Sequence, residues 1–277
     1  DLTKDYDMAR AKGIPVLSSD NGNQRLASLL GRINYTLLDR YLFTASVRSD
    51  GSSKFTTKNK WATFLSGALA WRASEEQFIK DLNIFSNLKF RISYGETGNQ
   101  GIGSYRTLPQ LDTANYPFGG STNSGSASVT WRGPVSTDLK WETTAQYNAG
   151  IDFGFIDNKI SFNIDYYHKK TRDLLQEVKI PESTGFTNML TNSGNVTNEG
   201  LELSLNCTPI NNKNLHWDIN ANIAFNKNTI GGLNGDQYAN TLWYGADDVF
   251  IQRNGCPIGA IFGYVEDGFY DNEAEVR

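Results

Sequence analysis

The sequence contains no apolar run long enough to cross a membrane as a helix. Hydrophobic residues make up 39% of the 277 residues. No stretch, however, approaches the roughly 20 consecutive apolar residues that a membrane-spanning helix requires. This absence excludes a helical membrane protein. It does not exclude a membrane β-barrel, because only alternate residues of a barrel strand face lipid.

Cysteine, histidine and net charge are also scarce. Cys207 and Cys256 lie far apart and form neither a CxxC motif nor a metal-ligand spacing. We therefore expect no metal, no cofactor and structural roles for both cysteines. The net charge of -4 provides no basic field for nucleic acid. Neither His168 nor His216 is paired with a nucleophile in any motif, so no catalytic residue is predicted and the chain is not expected to be an enzyme.

What the sequence does contain is alternation of apolar and polar residues with a period of two. The longest clean example runs from Trp217 to Asn226. Such alternation places successive side chains on opposite faces of a β-strand. It predicts eight strands: Leu26–Leu38, Arg40–Arg48, Lys60–Arg72, Asn87–Gly95, Lys140–Phe153, Lys159–Thr171, Asn198–Thr208 and Leu215–Asn228. One short helix is predicted at Ser74–Lys80, with Ser74 as its N-cap.

Strand length and aromatic placement favour a membrane location. Strands of soluble proteins peak near 5–6 residues, whereas a tilted membrane strand needs roughly 9–11. Trp61 and Trp71 share one face of the third predicted strand. Ten residues tilted by about 40° span roughly 25 Å, which is the height of an outer-membrane apolar band. We expect Trp141 and Phe153 to repeat this pair of aromatic margins on the fifth strand.

Short turns alternate with long connections along the chain, as in barrels with periplasmic turns and extracellular loops. In that orientation both ends of the chain lie outside the cell, and Arg277 falls within a polar loop. We therefore expect an interior segment of a larger barrel. The predicted organisation is an extracellular loop remnant at 1–24, barrel strands with their loops at 25–228, and a truncated extracellular loop region at 229–277.

One face of several predicted strands is polar throughout. A water-filled lumen would accept such a face, whereas alternation alone also allows the solvent face of a soluble sheet. The predicted lumen-facing residues are Lys89, Arg91, Asn163, Asp165, Glu202, Asn206, Asn220 and Asn222.

Aromatic residues cluster in two of the long loops. Flat rings with polar tips suit sugar faces or a protein partner, and packing within the loops would explain them equally well. The candidate contact residues for a substrate or partner are Tyr105, Tyr116, Phe118, Trp131, Tyr238, Trp243 and Tyr244.

Several ordered motifs resemble the SusC/RagA-like TonB-dependent outer-membrane transporters of Bacteroidetes. The resemblance covers about Arg25 to Tyr270. The segments that carry it are Gly31–Tyr35, Asp39–Arg48, Asp50–Phe55, Leu88–Gly95, Thr97–Gln100, Trp141–Thr144, Asp165–Tyr167, Lys169–Leu175, Asn198–Glu202, Pro257–Gly259, Phe262–Tyr264 and Asp267–Gly268.

The resemblance implies an all-β chain that supplies about eight antiparallel strands of a transmembrane barrel of about 22 strands. It further implies an outer-membrane location among lipids, an N-terminal plug that contacts TonB, and a SusD-like surface lipoprotein that helps to capture oligosaccharides or peptides. The plug and the TonB-contacting segment are absent from this chain. The alternative from another class is a soluble or surface-exposed β-rich glycan-binding module.

Overall fold

The computed structural model describes residues 22–116, 126–131, 133–239, 249–263 and 268, and their regular secondary structure is almost entirely β-strand. Numbered in chain order, the strands are β1 Leu26–Leu37, β2 Tyr41–Ser52, β3 Trp61–Arg72, β4 Phe85–Asn99, β5 Leu111–Tyr116, β6 Ser126–Trp131, β7 Glu142–Phe155, β8 Ile160–Arg172, β9 Leu175–Lys179, β10 Asn188–Asn192, β11 Asn195–Asn211, β12 His216–Gly231, β13 Gln237–Ala239, β14 Phe250–Gln252 and β15 Ala260–Ile261. Helical structure in these ranges consists of 3-10 turns at Ala73–Glu75 and Glu182–Thr184 and a four-residue helix, α1, at Gln77–Lys80. None of the helices so described is long and apolar enough to cross a membrane.

Eight long strands form one antiparallel sheet in the order β1-β2-β3-β4-β7-β8-β11-β12. Each of these strands pairs with the next long strand along the chain, so the sheet is a simple meander. The eight predicted strands and their predicted antiparallel arrangement are thereby confirmed. The sheet is not closed, because β1 and β12 are its two edges.

The strands extend further than the alternation predicted. β2 continues to Ser52 instead of Arg48, and β4 continues to Asn99 instead of Gly95. The added residues are held by backbone pairing, as between Asn99 and Glu142. Backbone hydrogen bonds do not depend on side-chain polarity, so the ladder continues beyond the stretch in which the two faces contrast.

Short and long connections alternate, as predicted, and lie at opposite ends of the sheet. The short ones, at the end we call the turn end, are residues 38–40, 156–159 and 212–215, together with the helical connection 73–84. The long ones, at the loop end, are residues 53–60, 100–141 and 173–194. Asp39 and Asn158 adopt positive φ in two of the short turns, a conformation that Asp and Asn tolerate better than most residues.

The connections at the loop end carry small sheets that the sequence did not predict. β5 pairs with β6, β9 pairs with β10, and β13, β14 and β15 form a three-stranded sheet. Their strands have six residues or fewer. Segments this short give too few alternations for a period of two to be detected.

The connection between β3 and β4 differs from the prediction at its capping residue. Helix α1 is preceded by Glu76 rather than Ser74, and the Glu76 side chain does not cap the helix. The carboxylate instead accepts hydrogen bonds of 2.8, 2.8 and 3.3 Å from Arg40, Tyr41 and Trp71. Glu76 therefore attaches this turn to β2 and β3, and the Ser74 prediction was wrong because it considered only contacts local in sequence.

Candidate functional site

The pairing register assigns the side chains of the large sheet to one apolar face and one polar face. Successive partners across the sheet are Trp71, Phe90, Ile151, Ile164, Leu203 and Ile223. Apolar side chains on this face are widely exposed, with Ile92 at 55% and Ile223 at 52%. A continuous exposed apolar face of this size marks contact with lipid or with another protein.

The aromatic margin at the turn end of the apolar face is displaced along the strands between β3 and β12. Trp61 and Trp71 lie on this face of β3, as predicted. Trp71 is in register with Ile223 of β12, yet the aromatic residue near the turn end of β12 is Trp217, six residues earlier. Six residues cover about 20 Å along a strand, and the five strand spacings cover about 24 Å. The margin therefore crosses the sheet at about 40°, the tilt expected of strands in a membrane barrel.

Trp141 does not belong to this margin, so that part of the prediction was wrong. β7 begins at Glu142, and Trp141 is only 5% exposed. The centre of its ring lies 5.2 Å from that of Phe55 and 6.0 Å from that of Phe64. The alternation was extrapolated one residue beyond the strand. At that point the chain has already left the sheet and belongs to the long connection 100–141.

All eight residues predicted to face a lumen lie together on the polar face. Asp165 is the register partner of Glu202 in β11, and Arg91 is connected to Asp165 through Gly150 of β7. The same registers place Lys89, Asn163, Asn206, Asn220 and Asn222 on this face. The structure thus unites residues from four strands into one polar surface.

Arg91 is the centre of an ion-pair network on the polar face. Its Nε and Nη2 atoms donate to Asp152 at 2.9 and 2.7 Å, and Nη2 also donates to Asp165 at 3.1 Å. Gly150 lies beneath the network, and a Cβ there would overlap Asp165 and Arg91. Sequence reasoning did not single out Asp152, although the alternation within Lys140–Phe153 places it on the same face as the polar residues of that strand.

An open polar groove surrounds this network. Its lining combines amides, hydroxyls and charges of both signs from Ser93, Gln146, Asn148, Tyr167, Lys169 and Glu202. Such groups can exchange hydrogen bonds with sugar hydroxyls or peptide amides. In the part of the chain that the structure describes, no group of three or more His, Cys, Asp or Glu residues is arranged to hold a metal ion. The surface suits the binding of a polar solute.

A packed cluster joins the long connections into a unit that we call the loop platform. Its buried residues are Phe55, Phe64, Ile102, Leu139 and Trp141, with Leu175 and Leu190 of the β9–β10 hairpin packed against them. Asn59 reinforces the cluster by donating to the carbonyl oxygens of Asp138 and Leu139 at 3.0 and 3.1 Å. Segments from three connections are therefore held together with β3 at the loop end of the polar face.

The segment after β12 is fixed by a second, smaller cluster. Val196, Ile230 and Leu233 are buried together. Nearby, Arg253 donates to one carboxylate oxygen of Asp236 at 2.9 and 2.6 Å. The hydrogen bond from Arg253 lowers the pKa of Asp236 below its ordinary value. The Asp236 carboxyl group therefore stays charged, and keeps its ion pair with Arg253, to a lower pH than an ordinary aspartate would.

The structure separates the predicted loop aromatics into different environments. Tyr105 is 41% exposed, and its hydroxyl accepts a hydrogen bond from the Asn23 backbone at 3.2 Å. Tyr238 packs edge-on against Phe262 with ring centres 5.0 Å apart. The backbones of Tyr116 and Trp131 belong to the β5–β6 hairpin, and their side chains lie outside the described structure. Phe118, Trp243 and Tyr244 are outside the described residues.

Comparison with known proteins identifies relatives of the same architecture. The chain is 43% identical to the TonB-dependent receptor SusC of Bacteroides thetaiotaomicron over 256 residues, which are 88% of this chain and 25% of the receptor. It is 36% identical over 260 residues to the TonB-dependent receptor P3 of Formosa agariphila, covering 91% of this chain and 25% of that protein. The chain thus spans about a quarter of the length of these relatives.

Solved structures show the same arrangement of strands. The structure of the RagAB peptide transporter superposes with a TM-score of 0.74 at 28% identity, covering 85% of this chain and 25% of that chain. These relatives are receptors and transporters, not enzymes. Residues 3–261 match the family described as TonB dependent receptor-like, β-barrel. The chain belongs to this family of TonB-dependent receptor β-barrels.

Proposed function

We propose that this chain forms part of the barrel wall of an outer-membrane transporter that imports oligosaccharides or peptides. The observation that carries the proposal is the two-faced sheet, with an exposed apolar face crossed by aromatic margins at about 40° and a polar face on the other side. A soluble glycan-binding module would leave this apolar face in water, which is unfavourable.

In this proposal the polar face lines the interior and guides the solute. The surface around Arg91, Asp165 and Glu202 offers hydrogen-bond donors and acceptors without a reactive centre. Exchange of many weak hydrogen bonds allows a hydrated solute to move along a surface without being trapped by one tight contact. Residues 25–228 supply the wall, and 229–277 belong to the extracellular side.

The loop platform and the loop aromatics face the cell exterior in this proposal and meet substrate and a SusD-like lipoprotein. The packed cluster of Phe55, Phe64 and Trp141 supports this role, because a preorganised surface loses less entropy on binding than flexible loops do. In this proposal TonB provides the energy for import and acts through a plug domain that is not part of this chain.

Uptake by intact cells tests the proposal. Cells that lack the full-length protein should lose uptake of one class of labelled oligosaccharide or oligopeptide, and the wild-type gene should restore it. Restoration should fail in a strain without TonB. The proposal is wrong if uptake is restored equally well without TonB, or if the protein fractionates with soluble proteins.

A further inference from the structure

A groove runs along the apolar face at mid-sheet. Its depth arises because small residues form the floor, while larger side chains rise on both sides. A Cβ added at Gly67 would fit without overlap, with Thr44 O at 3.7 Å as its nearest neighbour. The floor is formed by Ala45, Gly67 and Ala149, and the walls by Phe43, Leu69, Ile92, Tyr94, Tyr147 and Tyr166.

A second apolar depression follows towards the turn end of the sheet. Phe43, Leu69 and Ile92 are register partners across β2, β3 and β4, so they form one row between the groove and this depression. Trp71 and Phe90 close the depression with stacked rings 5.5 Å apart. Gly67 and Trp71 are four residues apart on β3, so the two depressions and the row between them give an almost wholly apolar surface about 13 Å long. One extended acyl chain can lie along such a surface.

Basic side chains stand on the same face at the loop end of the groove. Arg172 donates to Glu96 at 3.1 Å, and Glu96 also accepts from the Tyr94 hydroxyl at 2.7 Å. Lys170 is exposed and has no ion-pair partner in the described part of the chain. Further along, Lys227 lies 3.8 Å from Glu199. Three cations therefore face two carboxylates, which leaves one positive charge in excess where the apolar face ends.

We propose that this groove binds an acyl chain of a phosphorylated lipid of the outer leaflet, with its phosphate on Lys170 and Arg172. The groove and the depression beside it offer an apolar surface for the chain, and the cation excess complements an anionic headgroup. The inference rests on the proposed membrane orientation, in which the loop end faces the cell exterior.

Filling the groove tests its role against a matched control. Gly67→Leu in the full-length protein places a branched side chain on the groove floor. Gly31→Leu adds the same side chain to the apolar face of β1, outside the groove, where an added Cβ meets Val47 at 3.6 Å. Lipid A retained by the purified protein is measured by native mass spectrometry and by titration. Gly67→Leu should weaken binding about tenfold, and Gly31→Leu should leave it unchanged.

Charge reversal tests the headgroup contact independently. Lys170→Glu should weaken binding of lipid A about fivefold and leave binding of dephosphorylated lipid A unchanged. Inorganic phosphate alone should not compete. Since Lys170 is exposed, this variant remains informative if Gly67→Leu does not assemble.

Equal binding by Gly67→Leu, Gly31→Leu and the wild type would overturn the inference, as would equal binding of both lipid forms by the wild type. Substrate uptake, measured in parallel, distinguishes the two proposals. If TonB-dependent uptake is normal but the variants and the two lipid forms bind equally, only the lipid site is refuted. If the protein prefers phosphorylated lipid A but no substrate is taken up, the transport function is refuted.

Discussion

Ile164 and Asn163 are neighbours in β8, yet the register places them on opposite faces of the sheet. Ile164 is aligned with Ile151 and Leu203 on the apolar face. Asn163 is aligned with Asp152 on the polar face. A single step along the chain thus moves a side chain from the apolar face to the face with polar partners. If the apolar face meets lipid as proposed, the tolerance for charge should change with it.

We expect Ile164→Arg to destabilise the full-length protein by about 2–4 kcal/mol, because a guanidinium near the middle of the bilayer loses its hydration. Asn163→Arg, the matched control, should have a small effect, because its guanidinium can approach Asp152. Reversible unfolding in lipid vesicles measures both free energies. Equal losses at the two positions would contradict the face assignment.

At the scale of elements, one carboxylate organises the connection between β3 and β4. Glu76 accepts hydrogen bonds from Tyr41, Trp71 and Arg40. The hydrogen bonds from Tyr41 and Trp71 lower the pKa of Glu76 from its ordinary value of 4.5. A carboxyl group whose pKa is lowered on folding stabilises the protein above its ordinary pKa, and that stabilisation is lost as the pH falls through the lowered value.

Glu76→Gln should therefore lower the melting temperature at neutral pH. The difference from the wild type should shrink as the pH falls below 4.5, the ordinary pKa of the group, and should vanish once Glu76 is protonated in the folded protein. Glu75→Gln is the matched control, since Glu75 forms a single exposed ion pair with Lys80, and its effect at neutral pH should be smaller. Melting curves across this pH range measure both. A Glu76→Gln effect that is unchanged at low pH would contradict the role of the charge.

The loop platform is the second element whose stability can be tested by substitution. Trp141 is buried between Phe55 and Phe64. Trp141→Ala should cost about 3–5 kcal/mol of local stability, because it leaves a cavity in the cluster. The β9–β10 hairpin should then be cleaved faster by added protease. Trp61→Ala, at a 52% exposed position on the apolar face, should leave the cleavage rate unchanged.

At the scale of the whole molecule, the sheet has two ends with different surroundings and, among the described residues, two edges without partner strands. β1 and β12 each expose one row of backbone groups, which lipid could not satisfy. In the proposed barrel, further strands would pair with both edges. In that proposal the connections at the loop end lie on one side of the membrane and the short turns on the other.

Thiol labelling on intact cells tests this sidedness. In a full-length background carrying Cys207→Ser and Cys256→Ser, Ser183→Cys in the β9–β10 connection should react with an impermeant reagent. Asn158→Cys in the β7–β8 turn should react only after the membrane is disrupted. Both native side chains are exposed, so accessibility within the protein is matched. Labelling of Asn158→Cys alone on intact cells would show that the orientation is inverted.

The number of long strands, the face to which each residue of a strand belongs and the alternation of short and long connections could all be predicted from the sequence. These are local properties. A period of two fixes the face of every residue once a strand forms, and a slip of one residue would reverse all of them. Lys89, Arg91, Asn163 and Asp165 could therefore be assigned to one face before any pairing was known.

Which residues of a face meet depends on the tertiary structure. The contacts of Arg91 with Asp152 and Asp165 join β4 to β7 and β8, across 61 and 74 residues of the chain. The burial of Trp141 depends on the path of the long connections. Local patterning carries no information on register between distant strands or on how loops pack, because both arise from the free energy of contacts that form only when the chain has folded.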